Sequence, residues 1–446
     1  MFKRPLLLIL MAIFPFCFAF SAMAAETTVI TSYSVITAFG PASTMQQNVP
    51  EGEKVIISAD KQNAYRVKTI KVTDEAHLIR LMGAATENEL TDLQKGLLET
   101  YRFSRQAEFD SMKTRIPGQS KAIDLNLVDI TGYTDTSRYP KITDDFWPQN
   151  SRTYRRSGDD FDLHSEIRIS GTDCLGYGSD TAGKMKSTFA HEFGHALDKT
   201  FTETNAYGFD DSHYINEKIE PKASFAEGFA NFIKMIFFPE EEKEFRDSLK
   251  TVKIEKPQGG YDEYPIANVQ ISGEGFLDIE AINALIFTRL AADLPNGQKL
   301  VLDSFQKHNQ QENRMSRFLQ NFINDYPQHA TVVAQTLDRE TFGRLSDADI
   351  RLILGNNADV QKYLAARIAV NQAPPVAAKP EESVQIITHK SGTIYKWKDA
   401  QGNWQFTDQP PQTGAEYTTR GSTATPGKAS PVKIENPDTD PFVIGY

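Results

Sequence analysis

Residues 191–195 read His191-Glu192-Phe193-Gly194-His195, the pattern H-E-x-x-H, and this pentapeptide decides how the chain is interpreted. Side chains four residues apart lie on one face of a helix, so the two histidines can bind one Zn²⁺. Glu192 lies between them, where it can deprotonate a zinc-bound water. Together these residues predict a site that hydrolyses peptide bonds. The pattern is short enough to occur by chance, so other parts of the chain must support it.

A catalytic zinc ion normally has three protein ligands and one water, so a third ligand is needed. The two turns after His195 contain no further histidine, which excludes the metzincin arrangement. The segment Phe225-Ala226-Glu227-Gly228-Phe229-Ala230-Asn231-Phe232 places Glu227 on a second predicted helix, among large apolar side chains. An unpaired carboxylate buried there would be costly, and a divalent metal would remove that cost. Glu227 is therefore the predicted third ligand of one zinc ion per chain; the alternative is a surface glutamate.

Two polar residues are candidates to orient the ligands. Asn231 lies one turn beyond Glu227, and its side-chain oxygen is expected to accept the free ring N–H of a ligand histidine, with His191 the preferred partner. Asp198 lies two turns beyond His191 on the same face. It is expected either to do similar work or to cap charge near the end of the helix.

The two segments resemble the gluzincin metallopeptidases, and most of all their anthrax lethal factor-like (Pro-Pro endopeptidase) branch. The family pattern runs H-E-F-G-H-A-x-D and then E-x-F-A-E-x-F, and the resemblance covers about residues 165–236. It implies a zincin fold, with His191, His195 and Glu227 as zinc ligands and Glu192 as general base. The function it implies is that of a secreted zinc-dependent endopeptidase acting on a protein or peptide substrate through a Glu-activated, zinc-bound water.

The chain departs from the family pattern at two positions. Asn231 stands where the family often has a second glutamate, and Glu220 stands where the family has the tyrosine that stabilises the oxyanion. His213 and Tyr214, in the loop between the two predicted helices, are candidates to replace that tyrosine. The alternative is that both are ordinary loop residues.

A predicted strand precedes the first motif helix, because polar and apolar residues alternate from His164 to Ser170. In zincins such a strand forms a sheet edge that pairs with extended substrate. The resemblance therefore predicts a substrate-binding edge, and the alternative is an internal core strand. The residues concerned are Glu166, Ile167, Arg168 and Ile169.

The expected fold class is α+β: a zincin metallopeptidase with an active-site helix, a mixed sheet and a helical C-terminal lobe, plus a tethered small β module. The expected divisions are a signal peptide (1–24), an N-terminal α/β region (25–115), the zincin core and helical lobe (116–370), a Pro/Ala linker (371–385), a β-hairpin domain (386–420) and a flexible tail (421–446).

The first residues predict a cleaved secretory signal, and hence a periplasmic or secreted protein. Lys3 and Arg4 precede an apolar run over residues 6–20, and Ala22-Met23-Ala24 supplies the small residues that precede cleavage. No later stretch approaches 18 apolar residues, so no stable membrane insertion is expected. The chain carries 59 acidic and 48 basic residues, a net charge of −11. This charge argues against nucleic acid as a partner.

The C-terminal segment Ile394–Pro411 (IYKWKDAQGNWQFTDQPP) predicts a β-hairpin, since two β-rich stretches flank Ala400-Gln401-Gly402-Asn403. It resembles a small domain of unknown function common in secreted proteins of Gram-negative bacteria. Its Trp397 and Trp404 could face a cell-envelope ligand or form the core of a tiny sheet. The alternative to an enzyme is therefore a cell-envelope binding protein on a catalytically idle zincin scaffold.

Overall fold

The computed structural model describes residues 29–58, 61–114, 123–139, 142–157, 160–175, 180–201, 213–271, 273–308, 314–372, 385–389, 392–398 and 404–407. The chain divides into two compact units, residues 1–357 with 444–446 and residues 358–443. The first unit thus ends before the predicted boundary at residue 370. The predicted signal peptide and tail, and nearly all of the predicted linker, lie outside the described residues.

Six strands of the first unit form one mixed sheet: β1 (Val29–Pro41), β2 (Glu53–Ile57), β3 (Asn63–Lys71), β4 (Ile123–Asp129), β5 (Gln149–Ser157) and β6 (Asp160–Ile169). Their order across the sheet is β2-β3-β1-β4-β6-β5. The pairs β1–β4 and β4–β6 are parallel, and the other three pairs are antiparallel. Since β1 and β4 lie on opposite sides of the predicted boundary between residues 115 and 116, that boundary does not separate two sheets.

Strand β6 is internal, so the prediction that residues 166–169 form a substrate-binding edge is wrong. Residues 165–168 pair with β4 on one side and with β5 on the other. Ile167 and Ile169 are fully buried. Alternating polarity shows that one face of a strand is buried, but it does not show whether a neighbouring strand covers each side. In the described part of the sheet, β5 is the edge beyond β6.

Helices make up most of the rest of the first unit, and the predicted α+β class is confirmed at this level. A small sheet of order β7-β8-β9 lies among them, formed by β7 (Glu217–Lys218), β8 (Thr251–Glu255) and β9 (Tyr261–Pro265). None of the described helices is long and apolar enough to span a membrane. The helices of this unit are α1 (Ala42–Met45), α2 (Glu75–Leu81), α3 (Asp92–Phe103), α4 (Ala107–Thr114), α5 (Ile142–Asp145), α6 (Thr181–Phe201), α7 (Pro221–Phe237), α8 (Glu242–Ser248), α9 (Glu280–Asp293), α10 (Gly297–His308), α11 (Met315–Asp325), α12 (Ala330–Glu340) and α13 (Asp347–Leu354).

Two glycines set how closely the central helices approach one another. A Cβ atom added to Gly194 of α6 would lie 2.6 Å from the Cα atom of Ala230 of α7. One added to Gly228 of α7 would lie 2.5 Å from the Cβ atom of Asn283 of α9. Real Cβ atoms do not approach other carbons this closely, so only glycine allows these two crossings. Both glycines belong to the motif segments, next to His195 and Glu227, and the crossings therefore position those side chains.

The second unit contains α14 (Ala358–Gln372) and a three-stranded sheet of β10 (Gln385–His389), β11 (Gly392–Lys398) and β12 (Trp404–Thr407). Strands β11 and β12 pair antiparallel, with Lys398 opposite Trp404, which confirms the predicted hairpin. Strand β10 pairs with the other side of β11 and was not predicted. The side chains of Trp397 and Trp404 lie outside the part that the structure describes.

Candidate metal site

Helices α6 and α7 bring three donor atoms of the kind that bind metals to one point. His191 Nε2 and His195 Nε2 are 3.1 Å apart. Glu227 Oε2 is 3.1 Å from His195 Nε2 and 3.2 Å from His191 Nε2. Two ligands of a tetrahedral zinc ion with bonds of about 2.0–2.1 Å lie about 3.3 Å apart. The three donors therefore fit a zinc ion to within a few tenths of an ångström.

The donor cluster is largely buried. The side chains of His191 and Glu227 are 3 % and 9 % exposed, whereas that of His195 is 15 % exposed. On the opposite face of α6, Phe189, Phe193 and Leu197 are fully buried in the core. The apolar face thus anchors the helix, and His195 is the most exposed of the three ligand side chains.

Hydrogen bonds around His191 determine which of its ring nitrogens carries the proton. Asn231 Nδ2 donates to Glu280 Oε1 at 2.5 Å, and an ionised carboxylate can only accept. The amide oxygen of Asn231 must then face His191 Nδ1, which lies 3.0 Å away and donates to it. In a neutral ring the other nitrogen, Nε2, therefore presents a lone pair toward Glu227.

The electrostatics of the cluster favour a cation at its centre. Burial lowers the pKa of His191, although the bond that its protonated Nε2 would donate to Glu227 acts in the opposite direction. Burial alone would raise the pKa of Glu227, but the charges and hydrogen bonds of His195 and His191 in their protonated forms bring this pKa well below its usual range, so the carboxylate is stabilised by positive charge at this point. A neutral imidazole and an ionised carboxylate are the forms that bind metals. Lone pairs that converge without a cation repel one another, so the donor set suits a metal ion.

Two further predicted residues lie on α6 beside the ligands. Glu192, the predicted general base, directly follows His191 and is buried, with 5 % of its surface exposed. Asp198 is equally buried, two turns beyond His191. That position is compatible with either of its predicted roles, orienting a ligand or capping charge near the end of the helix.

Glu220 serves to begin α7, which accounts for a glutamate where the family pattern has tyrosine. It is the N-cap of the helix, and its carboxylate accepts hydrogen bonds from the backbone N–H groups of Lys222 and Ala223, each at 3.0 Å. A side chain engaged with its own helix terminus is not directed at a substrate.

The two candidates for the missing tyrosine are placed differently. The ring of His213 joins the site: its Nε2 lies 2.9 Å from Glu280 Oε2, and a ring nitrogen lies within 4.8 Å of a carboxylate oxygen of Glu227. The ring of Tyr214 is instead covered by Lys253, whose Nζ lies 3.0 Å from the ring centroid. The structure therefore brings His213, rather than Tyr214, to the donor cluster.

Glu280 is the site residue that sequence reasoning missed. It is wholly buried at the first position of α9 and contacts both Asn231 and His213. In the sequence it is an acidic residue at the start of an apolar helix, an ordinary helix-start signal that does not mark a functional residue. Only the packing of α9 against α7 brings it to the site.

The comparisons with known proteins concern the other end of the chain. Residues 389–435 match the family model of a domain of unknown function, DUF4124. This match confirms the resemblance of the C-terminal segment to a small domain of unknown function, and it includes β11 and β12 of the second unit. No curated protein and no solved structure matches the chain.

Proposed function

We propose that the first unit is a zinc-dependent endopeptidase with a zincin-type site, in which His191, His195 and Glu227 hold one zinc ion. The observation that carries the proposal is the donor triangle, with edges of 3.1–3.2 Å, at the crossing of α6 and α7. A chance occurrence of H-E-x-x-H would place two histidines on a solvated helix face. Here the donors are largely buried and a third ligand comes from a second helix.

Zinc bound at this site would act as a Lewis acid, lowering the pKa of a water and polarising the scissile carbonyl. Glu192 follows the first ligand and is the proposed base, which takes a proton from the attacking water and delivers it to the leaving amine. Of the two oxyanion candidates only His213 reaches the donor cluster; because its Nε2 bonds Glu280, the proposed role requires a protonated ring that donates from Nδ1. Loss of one such donor typically costs about 3 kcal/mol of transition-state stabilisation.

The sheet edge offers a place for extended substrate. Helix α6 packs against both β5 and β6, and β5 is the edge strand on that side of the described sheet. An extended peptide can add to such an edge through backbone hydrogen bonds, with pockets selecting alternate side chains. We therefore assign to β5 the substrate-pairing role first expected of β6.

The setting of the activity is proposed from the ends of the chain. The charged start, apolar run and small residues over residues 1–24 support action in the periplasm or outside the cell. The second unit contains residues of the matched domain of unknown function, and we propose that it binds a cell-envelope ligand. Protein or peptide is the proposed substrate.

The test is a cleavage profile on a mixed peptide library with three states of the full chain: as purified, stripped by a chelator, and restored with zinc. We expect cleavage of internal peptide bonds in the first and third states and none in the second. Absence of cleavage in all three states, or equal cleavage with and without zinc, would contradict the proposal. A cleavage pattern shared by the first and third states would also define the substrate sequence.

A further inference from the structure

Glu280 is a wholly buried carboxylate whose two oxygens are both engaged at the metal site. Oε1 accepts a hydrogen bond of 2.5 Å from Asn231 Nδ2, and Oε2 lies 2.9 Å from His213 Nε2. Burying a charge is costly unless it is paired and hydrogen-bonded. Two N–H groups and the N-terminus of the 14-residue helix α9 meet that requirement. The residue thus connects two parts of the site that are far apart in the sequence.

The carboxylate restricts Asn231 to one of two orientations. An asparagine amide can be turned by half a rotation about its last bond, which exchanges its oxygen and its NH₂ group. If the NH₂ group of Asn231 faced His191, the Nδ1 atom of His191 would have to accept a hydrogen bond from it. The single proton of the neutral ring would then lie on Nε2. A protonated Nε2 cannot bind a metal. An ionised carboxylate accepts only, so in that form Glu280 selects the orientation that leaves a lone pair on Nε2.

A second cation among His213, Glu227 and Glu280 is the rival interpretation, since their donor atoms also lie within 4.8 Å of one another. Both oxygens of Glu280 already have nitrogen partners at hydrogen-bonding distance. A cation bound there would have to displace both hydrogen bonds. It would also lie beside the NH₂ group of Asn231, whose hydrogens carry partial positive charge and would be repelled by the cation. The contacts therefore favour a chain of hydrogen bonds over a second metal ion.

We propose that Glu280 is a positioning residue of the metal site. Through Asn231 it fixes the tautomer of His191, and through its other oxygen it holds the ring of His213 beside Glu227. The proposal rests on the zinc site of the proposed function. It assigns Glu280 no contact with zinc or substrate. The role depends on the carboxylate group and not on the size of the side chain.

The test is a charge exchange between Glu280 and Asn231, read out as zinc affinity by competition with a chromogenic chelator. Glu280→Gln allows both orientations of Asn231, and partners that orient metal ligands typically contribute about 10–100-fold in affinity, so we expect a loss of about tenfold. Asn231→Asp places two carboxylates together and should also weaken binding. In the double variant, Asn231→Asp places a carboxylate, which can only accept, beside His191 Nδ1. Glu280→Gln supplies an NH₂ group that can donate to that carboxylate. We expect it to return to within about threefold of wild type.

A second readout is independent of bound zinc. The ¹⁵N shifts of His191 in the zinc-free chain should show the Nδ1–H tautomer in the wild type and the double variant, and a mixture in Glu280→Gln. Glu340→Gln, at another nearly buried glutamate, is the control and should alter neither readout. Unchanged affinity and tautomer in Glu280→Gln, a double variant no better than the single ones, or two zinc ions per chain would overturn the proposal. A wild type that binds no zinc would instead refute the proposed function, and the tautomer measurement would still decide the role of Glu280.

Discussion

Glu340 and Glu227 are two buried glutamates of the first unit whose charges are compensated in different ways. Glu340, at the end of α12, is 1 % exposed and accepts hydrogen bonds from Arg246 Nη1 and Arg339 Nε, each at 2.9 Å. The side chain of Glu227, in the middle of α7, is 9 % exposed and faces the Nε2 atoms of His191 and His195. We call the surroundings of the first the arginine region and those of the second the histidine region.

The two regions differ in what their nitrogen partners can present to the carboxylate. Arginine is always protonated and presents only donors, so it completes an ion pair with Glu340 without any further group. Imidazole can present either a proton or a lone pair, and the bond from His191 Nδ1 to Asn231 directs a lone pair at Glu227. The arginine region is complete as it stands, whereas the proposed function has a cation complete the histidine region.

The largest expected effect lies within the histidine region, in the variant Glu192→Gln. A general base typically contributes about 10²–10⁴-fold to a rate, and we expect kcat/KM on a susceptible peptide to fall by that factor. Zinc content should stay at the wild-type value, because Glu192 is not among the three donors. Wild-type cleavage by this variant would remove Glu192 from the mechanism. Glu340→Gln in the arginine region serves as the matched control and should cleave normally.

Zinc itself should stabilise the fold through the histidine region. A ligand that binds only the folded state adds about 4 kcal/mol to the free energy of unfolding at a concentration of 1,000 Kd. We expect urea unfolding monitored by circular dichroism to show an increase of this size for the wild type when zinc is added to the stripped chain. His195→Ala, which lacks one donor, should show little increase. An equal increase in both proteins would place the metal elsewhere.

Gly194→Ala should damage the same region through the backbone rather than through a donor. The added methyl group would meet the Cα atom of Ala230 at 2.6 Å, so α6 and α7 must separate. Such overpacking typically costs about 1–3 kcal/mol of stability, and the shift should also weaken zinc binding. Gly132→Ala is the matched control, since nothing lies within 4 Å of its added Cβ atom. Equal unfolding midpoints and equal zinc affinity for the two variants would show that the crossing does not set the site.

The smallest effect is expected in the arginine region, for Glu340→Gln. The glutamine keeps one oxygen acceptor, and the side chains of Arg246 and Arg339 are 36 % and 48 % exposed, so water can solvate them. We expect a loss of about 1 kcal/mol in the free energy of unfolding and no change in zinc affinity. A loss of zinc binding in this variant would show that the two regions are coupled, contrary to the distinction drawn between them.

The ligand set could be proposed from the sequence because its physical basis is local. The spacing of His191 and His195 places both on one face of any helix, and the apolar neighbours of Glu227 indicate burial. Asn231 followed from its position one turn beyond Glu227. Each of these inferences needs only helical periodicity, which a single sequence displays directly.

The features that escaped sequence reasoning depend on contacts between distant segments. Glu280 lies 49 residues from Asn231 and 67 from His213, and no periodicity connects positions so far apart. The alternation in β6 identified a half-buried strand but not the strand that covers its outer side. Gly194 and Gly228 were part of the motifs, yet their role as crossing points follows only from where Ala230 and Asn283 lie.

The measurement that tests the account most directly is the metal content of the full chain by native mass spectrometry, for the wild type, Glu227→Ala and Glu340→Gln. Both substituted glutamates are nearly buried, so a difference in zinc content between the two variants must come from the histidine partners of Glu227 and not from burial alone. We expect one zinc ion per chain in the wild type and in Glu340→Gln, and none in Glu227→Ala. A wild type without zinc, or a Glu227→Ala chain that retains it, would contradict the assignment of the donors on α6 and α7 as a zinc site.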